Sequence, residues 1–308
     1  MPPGLTSRPY AGLDDLRDMR ALLMAGRARA GDWRYAHLGL LAWDFFMVVC
    51  HLDPEAHIRL WHDASGRLAA YAMLGDEQLD WQVLPEHAWL GIEGEALEWG
   101  EALLADLRRH NPERWGGPLV ATARQDDAAR IAFLEESGFR YRGESAEVDM
   151  IRTLDGPIPE AWFPGGFRVC GLAGRGEATE RAAAEQDVWQ GFTVGDVTGE
   201  QYAALMTLPG YDIGLDVVAV APGGAIAAYA NCWLDPVNRI GDLGPVGARP
   251  AYRRRGLTRA VLLEGMRRMK AAGMDRVCVS TGIGNTAAQR LYESAGFTVV
   301  NYCRDFVR

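Results

Sequence analysis

The sequence has little cysteine and no cysteine motif. Its five cysteines, Cys50, Cys170, Cys232, Cys278 and Cys303, are scattered over 308 residues without a Cys-x-x-Cys pair. An odd number of isolated cysteines favours reduced thiols over a disulfide framework. We therefore expect a cytoplasmic protein.

Long apolar runs and a surplus of positive charge are also missing. The longest apolar run, residues 38–50, is too short to span a bilayer and contains Asp44. No secretory signal is visible at Met1-Pro2-Pro3. The net charge is −9, whereas binding to nucleic acid or to an anionic membrane needs a basic surface. We expect neither of these as a partner.

Histidine is absent after position 110. His51, His57 and His62 lie close to Cys50 in the sequence, but their spacing fits no metal-binding pattern. We therefore predict no metal site.

What the sequence does contain is a basic turn with a glycine that directly precedes an amphipathic helix. The turn is Arg253-Arg254-Arg255-Gly256-Leu257-Thr258, and the predicted helix follows over residues 259–272. Unpaired N–H groups at a helix N-terminus bind anions. Glycine lets the backbone approach a ligand closely, and arginine offers forked donors to phosphate oxygens. The pattern indicates a phosphate-binding loop.

A second motif covers residues 285–297. Asn285 and Tyr292 are seven residues apart, which is two helical turns, so both project from one face of a helix. Gly296 is expected just past the end of that helix, with Phe297 starting a strand. A predicted strand over residues 276–281 separates this motif from the loop.

In these two motifs the chain resembles the GNAT superfamily of acyl-CoA-dependent N-acyltransferases. The family's loop, Arg/Gln-x-x-Gly-x-Gly/Ala, matches Arg253-x-x-Gly256-x-Thr258, with threonine in the last position. Its second motif, Asn-x-x-Ala-x-x-Leu-Tyr-x-x-x-Gly-Phe, is present over residues 285–297. The resemblance implies that the second half of the chain binds acetyl-CoA.

The resemblance also implies roles for individual residues. The loop N–H groups take the pyrophosphate, and the strand at residues 246–248 pairs with the pantetheine arm as an added strand would. Tyr292 donates a proton to the leaving thiolate, because the reference pKa of tyrosine is about 10 and that of a thiol about 8.5; the alternative is a core tyrosine. Asn285 contacts the cofactor or caps its helix. The implied cofactor-binding residues are Val246, Gly247, Ala248, Arg253, Arg254, Arg255, Gly256, Leu257, Thr258, Arg259, Asn285 and Tyr292.

The base that takes a proton from an amine acceptor is less well defined. Family members with a similar tandem arrangement carry Glu before Pro-Val-Gly on this strand, where this chain has Gly244. Asp242 lies two residues earlier, on the same face of an extended strand, and is the candidate base or acceptor-orienting group. A solvated aspartate at a strand edge is the alternative. Further acids could attract a cationic acceptor or be ordinary surface residues: Asp196, Asp212, Asp216 and Asp235.

Short segments recur 158 residues apart. Residues 67–72 resemble 225–230 and residues 135–139 resemble 293–297, while 103–109 resemble 262–268 one residue out of step. We predict a duplication, with a degenerate N-terminal domain at 1–155 and an acetyl-CoA-binding C-terminal domain at 166–308. Prolines and glycines cluster at the junction.

The first copy lacks the residues that carry the chemistry. Carboxylates stand where the second copy has arginines, no glycine matches Gly256, and Leu134 and Asp127 replace Tyr292 and Asn285. Carboxylates at a helix start repel a pyrophosphate, so we predict that the first copy binds no CoA and carries no catalysis. The four glutamates in question are Glu93, Glu95, Glu98 and Glu101.

The predicted fold class is α/β (α+β), with two tandem GNAT-like domains. Each has a mixed, mostly antiparallel sheet flanked by helices. The implied function is N-acetyl transfer from acetyl-CoA to a small-molecule or peptide amine by direct attack, in the C-terminal domain. The alternatives are a non-catalytic CoA-binding sensor, favoured by Gly244, and acyl transfer to a thiol or hydroxyl. The chain is expected to be a monomer, as a pseudo-dimer of its two domains, or a homodimer.

Overall fold

Residues 4–31, 34–190 and 197–308 are described by a computed structural model of the protein, without side chains at 144 and 145. The described residues fall into two units that interleave along the chain. The first takes its residues from Met1–His37, Met47–Asp149 and Asn301–Arg308, and the second from Leu38–Phe46 and Met150–Val300. The predicted domains at 1–155 and 166–308 are continuous in the sequence and stay a prediction.

Helices and strands alternate along most of the chain. In chain order the elements are β1 (Thr6–Pro9), α1 (Leu13–Ala30), α2 (Leu38–His51), α3 (Pro54–His57), β2 (Ile58–His62), β3 (Leu68–Gly75), β4 (Gln78–Val83), α4 (Ile92–His110), β5 (Val120–Arg124), α5 (Ala128–Glu136), β6 (Arg140–Thr153), β7 (Arg168–Gly171), α6 (Ala178–Val188), α7 (Gly199–Leu205), β8 (Asp216–Val220), β9 (Ile226–Asp235), β10 (Ile240–Ala248), α8 (Leu257–Ala271), β11 (Arg276–Gly282), α9 (Thr286–Ser294) and β12 (Thr298–Val307).

Both units have a mixed sheet built largely from antiparallel pairs. The strand order is β1-β2-β3-β4-β5-β12-β6 in the first unit, which holds most of β6 and β12, and β11-β10-β9-β8-β7 in the second. The pairs β1–β2, β2–β3, β3–β4, β5–β12, β7–β8, β8–β9 and β9–β10 are antiparallel, and β4–β5 and β10–β11 are parallel. Together with the flanking helices, this confirms the predicted fold class. None of the described helices is long and apolar enough to cross a bilayer.

Two glycines, one on helix α8 and one on β10, allow the helix to pack close to the sheet of the second unit. A Cβ on Gly265 of the helix would lie 2.6 Å from the sulfur of Cys232 on β9. A Cβ on Gly241 of β10 would overlap the side chain of Met269. The resulting contact is closer than larger residues would allow, so the N-terminus of α8 is fixed next to the end of β10.

A fully buried ion cluster joins α6 to β8. Arg181 donates from Nε to Asp216 Oδ1 at 3.1 Å and from Nη1 to Glu185 Oε2 at 2.6 Å. Its guanidinium lies 3.6 Å from the ring centroid of Tyr229. Burial disfavours the cation, but the neighbouring charges, Asp216 foremost, hold the pKa of Arg181 well above its usual range. The cluster is therefore a charged part of the core.

We expect Arg181→Met to lower the free energy of unfolding by about 3–5 kcal/mol, because it leaves two carboxylates buried without their cation. The measurement is urea unfolding at neutral pH. The matched control is Arg239→Met, which removes an ion pair to Asp275 of 2.6 Å whose side chains are 59% and 60% exposed. That change should cost less than about 1 kcal/mol. Equal losses in the two variants would contradict a structural role for the buried cluster.

Candidate active site

Strands β10 and β11 pair only where they begin. Their parallel register runs from Ile240 opposite Arg276 to Asp242 opposite Cys278. After a register shift between Leu243 and Val246, β10 continues to pair with β9, up to Ala248 opposite Ala228. The other edge of β10 then has no β11 residue in register with it among the described residues. An extended ligand chain could form hydrogen bonds along that edge as an additional strand would.

The irregular part of β10 is held by packed side chains on β9. Trp233, which is buried, donates from its indole N–H to Gly244 O at 2.8 Å. A Cβ on Gly247 would lie 2.5 Å from Val188 Cγ1 and 3.0 Å from the hydroxyl oxygen of Tyr229. Gly247 is a predicted cofactor contact, and the structure gives it a packing role as well. The backbone between Gly244 and Gly247 is thus fixed from one face.

The predicted phosphate loop connects β10 to α8. Gly256 directly precedes the helix with a φ of 77°, and Arg254 also has a positive φ, 62°. The first intrahelical bond runs from Ala260 N–H to Gly256 O at 2.9 Å, so the N–H groups at positions 257–259 have no carbonyl of the helix to bind. The side chains of Arg253, Arg254 and Arg255 are exposed. The loop therefore offers backbone donors, the positive end of a helix and exposed guanidinium groups together.

Two contacts set the surroundings of the loop. Arg253 donates from Nε to Ala248 O at 3.2 Å, which ties the loop to the end of β10. A Cβ on Gly256 would lie 3.3 Å from Trp162 O. Gly256 is therefore required for both its left-handed backbone and the close approach of the segment that contains Trp162.

Helix α9 carries the second motif. The side-chain oxygen of Asn285 accepts a hydrogen bond from Ala288 N–H at 3.2 Å, so Asn285 caps the helix. Its role as a cofactor contact stays a prediction. Tyr292, two turns later, is only 5% exposed, and its ring centroid is 5.9 Å from that of Phe297. Gly296 follows the helix with a φ of 88°, as predicted for its end.

Asp242 is buried on the face of β10 opposite to α8. It is 8% exposed, and Cys278 Sγ lies 3.7 Å from its Oδ1. A Cβ on Gly39 would overlap Oδ2, so glycine at position 39 allows helix α2 to approach this carboxylate. The interpretation of Asp242 as a solvated residue at a strand edge is therefore wrong. A buried carboxylate among packed groups is a stronger candidate for proton transfer.

The hydroxyl of Tyr292 is affected by its burial and by the charge of Asp242. Burial raises the pKa of the Tyr292 hydroxyl well above its usual value, and the charge of Asp242 raises it further. Both effects favour the neutral, protonated phenol. A neutral phenol and a buried carboxylate therefore lie within electrostatic range of each other.

Two of the other acids singled out in the sequence, Asp216 and Asp235, are buried and hydrogen-bonded. Asp216 belongs to the buried cluster with Arg181, and Asp235 is buried and accepts from Asn238 N–H at 3.0 Å. The idea that these two attract a cationic acceptor is wrong. Asp212 is exposed and accepts from Gly214 N–H at 2.8 Å, and Asp196 lies outside the described residues.

The first unit repeats the backbone of the predicted phosphate loop. His87 N–H donates to Leu84 O, as Tyr252 N–H donates to Arg249 O, each at 2.9 Å. Gly91, with a φ of 112°, directly precedes α4, as Gly256 precedes α8. Trp89 shares the φ of 62° found at Arg254.

The prediction that no glycine of the first copy matches Gly256 is therefore wrong. Gly91 precedes Gly256 by 165 residues rather than 158, because the hairpin between β9 and β10 is longer than that between β3 and β4. At this offset, different residues of the first unit correspond to the predicted pyrophosphate ligands of the second unit. Ala88, Trp89 and Leu90 correspond to Arg253, Arg254 and Arg255, and Glu93 corresponds to Thr258.

Residues 187–297 match the model of the Acetyltransferase (GNAT) family. A mycothiol acetyltransferase of Thermomonospora curvata is 31% identical over 208 residues, which cover 65% of this chain and 65% of that protein. The chain thus spans less than two thirds of the length of this relative.

Two solved structures share the fold over nearly the whole chain. A GCN5-related N-acetyltransferase from Sphaerobacter thermophilus has a TM-score of 0.64 at 23% identity and covers 100% of this chain and 96% of that one. A tandem GNAT protein from the clavulanic acid biosynthesis pathway has a TM-score of 0.63 at 17% identity and covers 99% and 98%.

Proposed function

We propose that this chain, which belongs to the GNAT superfamily, is an acetyltransferase that moves the acetyl group of acetyl-CoA to an amine within its second unit. The observation that carries the proposal is the separation of β10 from β11 directly beside the glycine-capped start of α8. A ligand with a diphosphate and an extended arm fits such a site. Its diphosphate would meet the donors at positions 253–259, and its arm would follow the edge of β10.

The same path leads from the loop to the candidate catalytic groups. Asp242 lies six positions before Ala248 on β10, which corresponds to roughly 20 Å of extended strand. An arm that pairs with the edge at Val246 and Ala248 is directed toward Asp242 and Tyr292. This supports the assignment of the reacting end of the donor to the region of these two side chains.

Asp242 and Tyr292 supply the two proton transfers that the reaction needs. Acetyl-CoA, when bound, supplies the acetyl group as a thioester. Asp242 accepts the proton that the amine must lose, directly or through a water molecule, as the new carbon–nitrogen bond forms. Tyr292 gives its proton to the sulfur as the carbon–sulfur bond breaks, and burial keeps this hydroxyl protonated until then. Protonated sulfur is a better leaving group than a bare thiolate.

The name of the relative supports a small-molecule acceptor. It is called a mycothiol acetyltransferase, so we propose a small-molecule acceptor for this chain too. The same name keeps transfer to a thiol as a second candidate. A sensor that binds acetyl-CoA without turnover is the third and is favoured only by Gly244.

Mass spectrometry of reactions with acetyl-CoA and small amines, thiols and aminothiols separates these candidates. We expect an acetylated product that survives neutral hydroxylamine, as an amide does. A product that hydroxylamine cleaves would show transfer to sulfur. Binding of acetyl-CoA by calorimetry without any product across the panel would indicate a sensor and would reject the proposed activity.

We expect Asp242→Asn to lower kcat/KM for the amine by about 10²–10⁴-fold, because the amide has the shape of the carboxylate but cannot accept a proton. Rates should recover in part at higher pH, where more of the amine is already deprotonated. Calorimetry with acetyl-CoA is the control, and the dissociation constant should stay within about threefold of the wild-type value. Unchanged turnover by a folded variant would exclude Asp242 as the base.

A further inference from the structure

We propose that the loop of the first unit is an anion site occupied by a carboxylate of the chain itself, that of Glu93. In the second unit the corresponding loop is left open for an external anion. Shortening Glu93 should therefore free a site for a small oxyanion at the N-terminus of α4. The inference is independent of acetyl transfer, because it concerns the other unit and inorganic ligands.

The backbone of the first loop has the features that favour an anion. Gly91 adopts the left-handed conformation directly before α4, and Glu95 N–H donates to Gly91 O at 3.2 Å as the first bond of the helix. The N–H groups at positions 92–94 therefore have no helical carbonyl to bind. As in the second unit, they lie at the positive end of a helix.

Glu93 turns back onto this loop. Its Oε1 accepts a hydrogen bond from Trp89 N–H at 2.8 Å, and the residue is only 3% exposed. Trp89 is the counterpart of Arg254, and Glu93 is the counterpart of Thr258. A buried carboxylate thus lies at the position where the second loop presents a short hydroxyl side chain.

Among the described residues, only one of the two carboxylate oxygens of Glu93 has a hydrogen-bond partner. Glu93 Oε2 is buried and has no hydrogen-bond partner among the residues that the structure describes. An unsatisfied buried oxygen is costly, and the positive end of α4 is the feature that offsets its charge. The N–H groups at positions 92–94, which have no helical carbonyl to bind, are the donors that a free oxyanion would meet at this helix end.

The side chains around the loop define the class of ligand. The three arginines of the second loop are replaced by Ala88, Trp89 and Leu90, and the last two are 46% and 62% exposed. An anion in the first loop would be held by backbone donors and the helix end alone. A small tetrahedral oxyanion such as sulfate or inorganic phosphate suits such donors, whereas a CoA diphosphate would lack the guanidinium partners.

The test is thermal unfolding of Glu93→Ala in sodium sulfate against sodium chloride at equal ionic strength. In chloride we expect a lower Tm than that of the wild type. Sulfate well above its dissociation constant should raise the Tm of the variant by about 3–5 °C more than that of the wild type. The change in Tm of the wild type in sulfate measures binding at the second loop together with general salt effects.

Glu98→Ala is the matched control, because Glu98 lies on the same helix but is exposed. Its sulfate response should equal that of the wild type. Glu93→Thr, which installs the residue of the second loop, provides a second variant if the alanine change prevents folding. The proposal is overturned if the sulfate responses of both Glu93 variants equal those of wild type and Glu98→Ala.

Discussion

Gly256→Glu should remove acetyl-CoA binding, with a loss of affinity of at least about 100-fold. Three effects act together. The φ of 77° is costly for any residue with a Cβ, a Cβ would lie 3.3 Å from Trp162 O, and a carboxylate would stand at the helix end proposed for the diphosphate. A loss of 100-fold corresponds to about 2.7 kcal/mol, which charge repulsion and strain can together supply. Isothermal titration calorimetry with acetyl-CoA measures it directly.

The first unit provides the matched control for this change. Gly91→Glu introduces the same side chain at a left-handed glycine directly before a helix, in the unit proposed to bind no acetyl-CoA. We expect its affinity for acetyl-CoA to stay within about twofold of the wild-type value. Gly256→Ala introduces a Cβ without a charge. Its loss of affinity for acetyl-CoA should therefore fall between those of Gly256→Glu and Gly91→Glu. Loss of binding in Gly91→Glu but not in Gly256→Glu would locate the nucleotide in the first unit and contradict the proposal.

The elements with strong local patterns could be predicted from the sequence. The helix expected over residues 259–272 and the strand expected over 276–281 are observed as Leu257–Ala271 and Arg276–Gly282. The start of helix α4 at Ile92 is less evident from the sequence. Its N-terminus is a left-handed glycine without a capping side chain, so it lacks the sequence signal that marks most helix starts.

The sequence predicts the wrong register between the two loops for a related reason. Residues 67–72 and 225–230 do recur at 158 residues, but the longer hairpin between β9 and β10 shifts the next segment. Hydrophobic pattern does not record the length of a hairpin. The positive φ angles of Trp89 and Gly91, which reveal the correct register, are properties of the folded backbone.

In the candidate site, too, some residues could be placed from the sequence and others could not. The motif was enough to place Tyr292 on α9 and Asn285 at the start of that helix. The burial of Asp242 was not predictable, because it depends on Gly39, which lies about 200 residues earlier in the chain and lets α2 come close. The burial of Asp216 likewise depends on Arg181, a partner outside its own strand. Such contacts between distant segments decide whether an acidic residue is a surface charge or a functional group.

Tyr292→Phe should lower kcat by about 10²–10³-fold and leave the dissociation constant of acetyl-CoA nearly unchanged, because only the proton donor is lost. The ring still packs against Phe297, so folding should be preserved. Single-turnover measurements of acetyl transfer isolate the chemical step from product release. The raised pKa of Tyr292 also predicts how the activity depends on pH. Since the folded protein holds the phenol protonated beyond its usual range, wild-type activity should show no loss of this acid up to about pH 10.

The control for this change is Tyr302→Phe, a half-buried tyrosine outside α9, which should keep wild-type turnover. Two results would contradict the role of Tyr292. One is full activity of Tyr292→Phe, and the other is a loss that appears equally in the affinity for acetyl-CoA, since a residue needed only for packing would disturb binding and turnover together. A selective loss in kcat would instead require that the hydroxyl acts after the donor is bound.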